Sequence, residues 1–381
     1  TGFTLYPYVY MVARVAFMNI PFSIIEASFL LGKNSISTLF SLSIPLIRPA
    51  IIAGVTLVAM ETLADFGAVQ HFAIPTFTTG IFRTWTGLYD LTTALQLSSI
   101  LLFIIFIFLS FERRSRNKIQ FSNSESKNNS FHSIQLTSFK NAFAFFVCFI
   151  PVFIGFFLPV IELINWSTQV DTLISSKIII AAKNTLYVSS SATILTCFIA
   201  LLINYIVRSF GLSQSFNDLL SIGYAVPGLI LAVGITKMFT SIDFILDDLN
   251  IYITGSIFGL VLAYIIKSYA ISNNVINSSF TSIPLSIDES AKTLKTNRFS
   301  ILRKIHIPLL KTGLLTAFLL VMGELIKELP ATLILRPFNF DTLSVSVYLL
   351  ASEERMFEAA FPGLMIIIFG LIPIYFLNNL I

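Results

Sequence analysis

Two pairs of carboxylates lie inside apolar stretches of this 381-residue chain, where ionisable side chains are costly and default to a functional interpretation. Glu61 and Asp65 are four positions apart, and Glu324 and Glu328 repeat that spacing. Residues at this spacing share one face of a helix. Because hard, highly charged cations prefer oxygen ligands, the four side chains predict a path that such a cation contacts transiently, without a permanent metal site. A structural alternative stays open, in which Lys327 pairs with one of the glutamates and Glu61 caps a broken helix.

Two polar stretches, at about 19–48 and 273–308, carry a second pattern of possible chemistry. Each has an acidic residue and alanine near its start, and isoleucine and proline further on, with nine residues before the closing tetrapeptide. The residues of this pattern are Glu26, Ala27, Gly32 and Pro45 in the first copy and Glu289, Ala291 and Pro308 in the second. Glycine permits a tight turn, and proline is tolerated at the start of a helix. The pattern therefore predicts a short helix, a turn and a second helix, although Lys295 replaces the glycine in the second copy.

The composition requires a membrane to hold these elements. Hydrophobic residues make up 55% of the chain and charged residues 12%, about half the charge of a soluble domain. Segments of spanning length, which need roughly 20 apolar residues, are predicted at about 49–70, 93–111, 141–164, 181–207, 216–240, 251–272, 309–335 and 359–381, with a further remnant at 1–18. Cys148 and Cys197 lie in apolar runs, which argues against a disulfide framework.

The distribution of positive charge sets the orientation. If the polar stretches at 19–48, 112–140 and 273–308 are cytosolic, most of the 24 Lys and Arg residues fall on the cytosolic side, as the positive-inside rule requires. The chain is therefore predicted to cross a membrane several times, with these three stretches on the cytosolic side. In this orientation the four carboxylates lie near the extracytoplasmic end of their helices, where they are expected to form an acidic ring.

The chain repeats itself at a fixed offset of 263 residues. Glu289, Glu324 and Glu328 correspond to Glu26, Glu61 and Asp65, and Phe340 and Thr342 to Phe77 and Thr79. Such an internal repeat predicts an all-α membrane protein of two tandem homologous halves. The predicted division is 1–111 for the end of the first half, 112–140 for a cytosolic linker and 141–381 for the second half. The offset places the start of the first half well before residue 1, so this half is expected to be truncated.

The two polar stretches resemble the EAA loop of ABC importer permeases. In that family the first short helix docks in a groove on the ATPase subunit, which implies an ATPase-coupling role for the seven residues of the pattern. Several other stretches resemble the fused permeases of ferric iron importers: residues 63–67, 76–81, 223–228, 327–332, 336–343 and 351–355. This resemblance implies a multi-pass protein of the bacterial inner membrane with six spans per half. It also implies a cytosolic ATPase dimer and a periplasmic or extracytoplasmic substrate-binding protein as partners.

The same resemblance implies a transport subunit that is not itself an enzyme. The sequence has no phosphate-binding loop of the ATPase type, so ATP and Mg²⁺ are expected on the partner ATPase and no cofactor in this chain. Nucleic acid is not expected as a partner. His71, His132 and His306 are scattered and are expected at surfaces or interfaces, with His306 near the ATPase.

Two alternatives remain open from the residues. The same architecture carries thiamine, phosphonates or other small solutes in related permeases, so the cargo is less certain than the class. A secondary transporter driven by an ion gradient would also be apolar and repetitive, but it would not need an ATPase-docking helix in each half.

Overall fold

The computed structural model describes residues 2–117, 138–170, 175–211, 213, 215–249, 252–293 and 297–378. These residues form helices and connecting turns, with no strand among them. The linker predicted at 112–140 falls largely outside the described residues. In chain order the α-helices are α1 Gly2–Met18, α2 Phe22–Leu30, α3 Ser35–Thr38, α4 Ile44–Ala64, α5 Gly67–His71, α6 Phe77–Gly87, α7 Leu91–Asn117, α8 Ser138–Val152, α9 Leu158–Ser167, α10 Ser176–Phe210, α11 Ser215–Leu220, α12 Gly228–Ile245, α13 Ile257–Thr281, α14 Leu285–Thr293, α15 Arg298–Ile301, α16 Ile307–Leu309, α17 Lys311–Ile326, α18 Pro330–Leu335, α19 Leu343–Ser352 and α20 Met356–Asn378.

Within these described ranges, seven helical segments are long and apolar enough to cross a membrane, and two bent pairs raise the number to nine. The bent pairs are α1 with α2, and the segment Arg298–Leu309 with α17, each bent by 74°. Every predicted apolar segment contains one of these helices or pairs. The all-α membrane fold expected from composition is thereby confirmed.

Three predicted spans are interrupted rather than continuous. The 49–70 segment breaks between α4 and α5, and the 309–335 segment breaks between α17 and α18. In the 216–240 segment, α11 is followed by a 3₁₀ turn, Ser221–Ala225, and α12 begins only after Pro227. Proline cannot continue a hydrogen-bonded helix, which explains the breaks at Pro227 and Pro330. Hydropathy averages over such breaks, but Pro227 and Pro330 mark two of them in the sequence.

Pro45 and Pro308 were expected to begin their helices, but each lies inside a helical segment. The helical segments start earlier, at Ser35 and Arg298, and a five-residue π-helical turn precedes each proline: Leu39–Ser43 and Leu302–His306. A proline inside an α-helix clashes with the carbonyl four residues earlier. The wider turn, in which the N–H of Ile44 bonds to the carbonyl of Leu39, changes that spacing and lets the helix continue.

Elements around the two polar stretches recur at the 263-residue offset. Helices α14 and α15 and the second π turn start and end at the positions equivalent to α2, α3 and the first π turn. After α18 the offset becomes 266, because Thr342 caps α19 as Thr76 caps α6. The predicted equivalence of Phe340 with Phe77 and of Thr342 with Thr79 is therefore wrong, since the starts of α18 and α19 are three residues further apart than those of α5 and α6. The division into two homologous halves stays a prediction.

Contacts within the chain divide it into two compact units. The first contains residues 1–63 and 100–162, with a small core of Ala16, Ile20, Ile47 and Ala50. In this unit Gly54 allows α1 to approach α4, since a Cβ at this position would lie 2.8 Å from Cα of Val9.

The second unit contains residues 64–99 and 163–381 and is organised by α10 and α13. The buried face of α10 consists largely of small residues, including Ser189, Ala192, Thr196 and Ala200. Small residues let helices in membranes approach closely. Further along this interface, the side-chain amide of Asn204 donates to Oδ1 of Asn273 at 2.7 Å. Polar contacts of this kind fix how the two helices pack.

Candidate functional site

The first polar stretch folds as the predicted helix, turn and helix. Glu26 and Ala27 are exposed on α2, and the helix ends with Gly32 at φ = +81°. The N–H of Gly32 bonds to the carbonyl of Phe29, and the N–H of Lys33 to that of Ser28, which is the Schellman arrangement that favours glycine. The glycine of the pattern is therefore required by the backbone, as expected.

Hydrogen bonds between neutral side chains hold the inner face of this loop. The hydroxyls of Ser28 and Thr38 lie 2.6 Å apart and are buried. Oδ1 of Asn34 accepts a bond from the N–H of Ser37 at 2.8 Å and caps α3. The two short helices of the first loop are thus joined as one unit, with Glu26 on its outer face.

The second polar stretch places Glu289 and Ser290 exposed on α14, with Ala291 buried behind them. Lys295, which replaces the glycine, lies outside the described residues. Pro45 and Pro308, one in each stretch, are both exposed. The two loops therefore present a glutamate at equivalent, accessible places.

A cluster of ionisable side chains lies under α14 and was missed by the sequence reasoning. Nε of Arg208 donates to Oδ2 of Asp288 at 2.6 Å, and Nε2 of His306 lies 2.8 Å from Oδ1 of the same carboxylate. His306 is fully buried, so the expectation that it lies at a surface near the ATPase is wrong. The available signal was an acidic residue directly before Glu289 in a basic loop, and an arginine at the end of a long apolar span.

Asp65 and Glu328 cap the short helices that follow the breaks. Oδ1 of Asp65 accepts from the N–H of Ala68, and Oε1 of Glu328 accepts from that of Ala331, both at 3.3 Å. The backbone carbonyls of the same two residues accept bonds from the hydroxyls of Thr78 and Ser344 at 2.8 Å. The two breaks therefore share one hydrogen-bonding plan, in which Asp65 and Glu328 cap the helices that follow them.

Glu328 has a second role that Asp65 does not share. It is buried and forms an ion pair with Lys267 of α13, a partner that the sequence did not suggest. Gly228 starts α12 directly against this carboxylate, and a Cβ at this position would clash with Oε1. Beside the pair, the hydroxyls of Tyr264 and Thr332 lie 2.6 Å apart. The break after α17 is thus stabilised by a polar network that includes the ion pair and these two hydroxyls.

The remaining two carboxylates differ in their surroundings. Oε2 of Glu324 lies 2.9 Å from Nζ of Lys327, the ion pair that the structural alternative anticipated. Glu61 is half-buried and belongs to the first compact unit, whereas the other three carboxylates belong to the second. The acidic ring of four carboxylates stays a prediction.

A cavity of about 410 Å³ lies in the second unit, beside the residues that follow Asp65 and Glu328. Its lining includes Gln70 of α5, Leu329 of the second break, and Ser344 and Tyr348 of α19. No group of three or more His, Cys, Asp or Glu side chains capable of holding a metal ion occurs among the described residues. The cavity lining includes hydroxyl and amide groups.

Comparison with known proteins agrees with this geometry. Residues 198–381, which include the second loop and the Glu328 network, match the family described as the inner membrane component of binding-protein-dependent transport systems. The Fe(3+)-transport system permease protein FbpB 2 of Haemophilus influenzae is 29% identical over 384 residues, covering 98% of this chain and 74% of that protein. The chain is therefore similar to permeases of this family. Its location in the inner membrane and its resemblance to ferric permeases are thereby confirmed.

Other relatives of the permease extend the comparison. The ferric transport system permease protein FbpB of Actinobacillus pleuropneumoniae is 24% identical over 375 residues, and the chain spans about half its length, 52%. Among solved structures, a bacterial alginate ABC transporter in complex with an alginate pentasaccharide-bound periplasmic protein aligns with TM-score 0.52 and 18% identity, over 63% of this permease and 93% of the matched chain. At this identity the structural match supports the fold alone.

Proposed function

We propose that this permease is the membrane subunit of an ATP-driven importer for ferric iron, built from two homologous halves. The observation that carries the proposal is the pair of short helices α2 and α14, which present the exposed Glu26 and Glu289 at equivalent positions. A transporter driven by an ion gradient has no use for two such helices. A permease moved by a separate ATPase dimer needs a rigid contact in each half.

The partners of the proposed importer follow from the separation of the membrane subunit and the ATPase into different chains. ATP and Mg²⁺ bind to the ATPase dimer, which docks on the two exposed glutamates and their neighbouring apolar side chains. This chain hydrolyses no ATP and carries no cofactor. An extracytoplasmic binding protein delivers the cargo at the opposite face, and the lipid bilayer surrounds the helices.

Ferric iron is favoured over thiamine and phosphonates on two grounds. The two relatives described above are ferric permeases by name, and the membrane helices present carboxylates, which are suitable oxygen ligands for a hard cation. Asp65 and Glu324 lie at less buried places than Glu328. They are therefore the stronger candidates in the second unit for transient contact with the ion.

Iron uptake by proteoliposomes tests the function directly. The permease is reconstituted with its ATPase and binding protein, and uptake is measured with ATP inside and iron-loaded binding protein outside. We expect uptake that needs all three proteins and that competing thiamine or phosphonate does not reduce. Uptake driven by an ion gradient without ATPase would contradict the proposal.

Two sets of variants separate coupling from the substrate path. Glu26→Lys and Glu289→Lys should each weaken ATPase binding and lower transport about tenfold, because each removes a charge-assisted contact. Glu61→Gln combined with Glu324→Gln should lower iron uptake more than either change alone and leave ATPase binding unchanged. If the double glutamine variant imports iron at the unmodified rate, these two carboxylates have only a structural role.

A further inference from the structure

Arg208 lies at the junction between α10 and α14, the short helix that carries Glu289. It lies in the last turn of α10, and its side chain is 11% exposed. Its guanidinium donates to the carbonyls of Phe280 at 2.5 Å, Ile283 at 2.9 Å and Pro284 at 3.3 Å. These carbonyls belong to the end of α13 and the turn before α14, where helical partners are missing. One side chain thus connects α10 with the end of α13.

Asp288 connects the same arginine to α14. The carboxylate lies in the first turn of that helix, one residue before the exposed Glu289, and accepts from Nε of Arg208. On its other oxygen it meets Nε2 of His306, from the π turn that precedes Pro308. The Asp288 carboxylate therefore contacts Arg208 through one oxygen and His306 through the other.

A second contact attaches the last turns of α10 to the helix that follows the loop. The hydroxyl of Tyr205 donates to the carbonyl of Arg298 at 2.6 Å. The guanidinium of Arg298 lies 4.2 Å above the ring of Phe210, within the range of a cation–π contact. Both ends of the second loop are therefore fastened to α10.

We propose that Arg208 and Asp288 form the joint that transmits movement of α14 to α10 and α13. Planar guanidinium groups hold several acceptors in fixed directions, and charge-assisted hydrogen bonds are about twice as strong as neutral ones. Movement of α14 therefore carries the ends of both membrane helices with it. Along α13, the same displacement reaches Lys267 and its ion pair with Glu328 at the helix break. Arg208 and Asp288 are positioning residues, since neither is exposed to a docking partner as Glu289 is.

The joint rests on the proposed importer function, and its first test measures iron imported per ATP hydrolysed. The variants are Asp288→Asn and Arg208→Lys, which keep size or charge but lose the fixed pairing. We expect the ATPase to bind with unchanged affinity and to hydrolyse ATP at a similar rate, while iron imported per ATP falls about tenfold. Arg303→Lys, an exposed arginine of the same loop, is the matched control and should leave the ratio unchanged.

Two results would overturn the joint. One is an unchanged ratio of iron to ATP in both variants. The other is loss of ATPase binding as large as that of Glu289→Lys, which would mean that the pair only shapes the docking surface.

Hydrogen exchange of the isolated permease distinguishes failure of the joint from failure of the importer proposal. Asp288→Asn should speed exchange of the α14 amides about tenfold without affecting α2, because only α14 is held by this pair. This readout needs neither iron nor the partner proteins. Unchanged exchange of α14 would refute the joint even if the importer function stands. Absence of iron uptake by the unmodified protein would refute only the cargo and leave the exchange test valid.

Discussion

In the first loop, formed by α2, the turn at Gly32 and α3, the hydroxyls of Ser28 and Thr38 bond to each other behind α2. The second loop has Ala291 and Ile301 at those two positions, both buried, and is held by the charged cluster around Asp288. The positions equivalent to Asp288 and His306 are Ile25 and Ser43, which carry no charge. The same arrangement of helices is thus stabilised in one copy by neutral hydrogen bonds of about 1 kcal/mol and in the other by charged ones of about 1.5–3 kcal/mol.

The two helix breaks differ in the same way as the loops, because an ion pair is described only at the second break. Asp65 and Glu328 both cap the helix that follows them, yet only Glu328 has a lysine of α13 as its described partner. The position equivalent to Lys267 is Thr4, which carries no charge. A buried carboxylate that is already neutralised is poorly suited to receive a cation. The comparison therefore assigns Glu328 to stability and leaves Asp65 as the better candidate for the substrate path.

The largest expected effect is a difference in unfolding free energy between variants of Glu328 and Asp65. Glu328→Ala removes a buried carboxylate and its ion pair with the half-buried Lys267, so the free energy of unfolding should fall by about 3–5 kcal/mol. Asp65→Ala removes a helix cap and should cost about 1 kcal/mol. Unfolding by titration with a denaturing detergent measures both. Replacing the pair together, by Lys267→Met with Glu328→Met, should recover part of the loss, whereas equal costs for Asp65 and Glu328 would remove the distinction.

How far the sequence could predict this molecule is clear from the same residues. The spans, the exposed glutamates and the left-handed Gly32 follow from local composition and backbone preference, and they agree with the structure. The pairing of Arg208 with Asp288, and of Lys267 with Glu328, joins residues 80 and 61 positions apart. No local pattern specifies such partners, because they depend on which helix faces pack together. For the same reason His306 was assigned to a surface although it is buried.

A smaller effect concerns the turn of the first loop. Gly32→Ala forces a side chain into the left-handed region, at a cost of about 1–2 kcal/mol. Asparagine tolerates that region better, so Gly32→Asn should be milder. Hydrogen exchange of α2 should rise in the alanine variant, and ATPase affinity should fall with it. No change in either measurement would show that the first loop does not depend on its glycine.

The smallest effect comes from converting the inside of the first loop to that of the second. Ser28→Ala or Thr38→Ile alone leaves one buried hydroxyl without its partner and should cost about 1–3 kcal/mol, whereas changing both removes the polar pair altogether and can be nearly neutral. A double-mutant cycle on the unfolding free energy should therefore show that the two costs do not add. The matched cycle in the second loop, Ala291→Ser with Ile301→Thr, should show the same favourable coupling between the two hydroxyls. Additive costs in the first loop would mean that the 2.6 Å contact between Ser28 and Thr38 contributes nothing, and that the first loop is held by the packing of its helices alone.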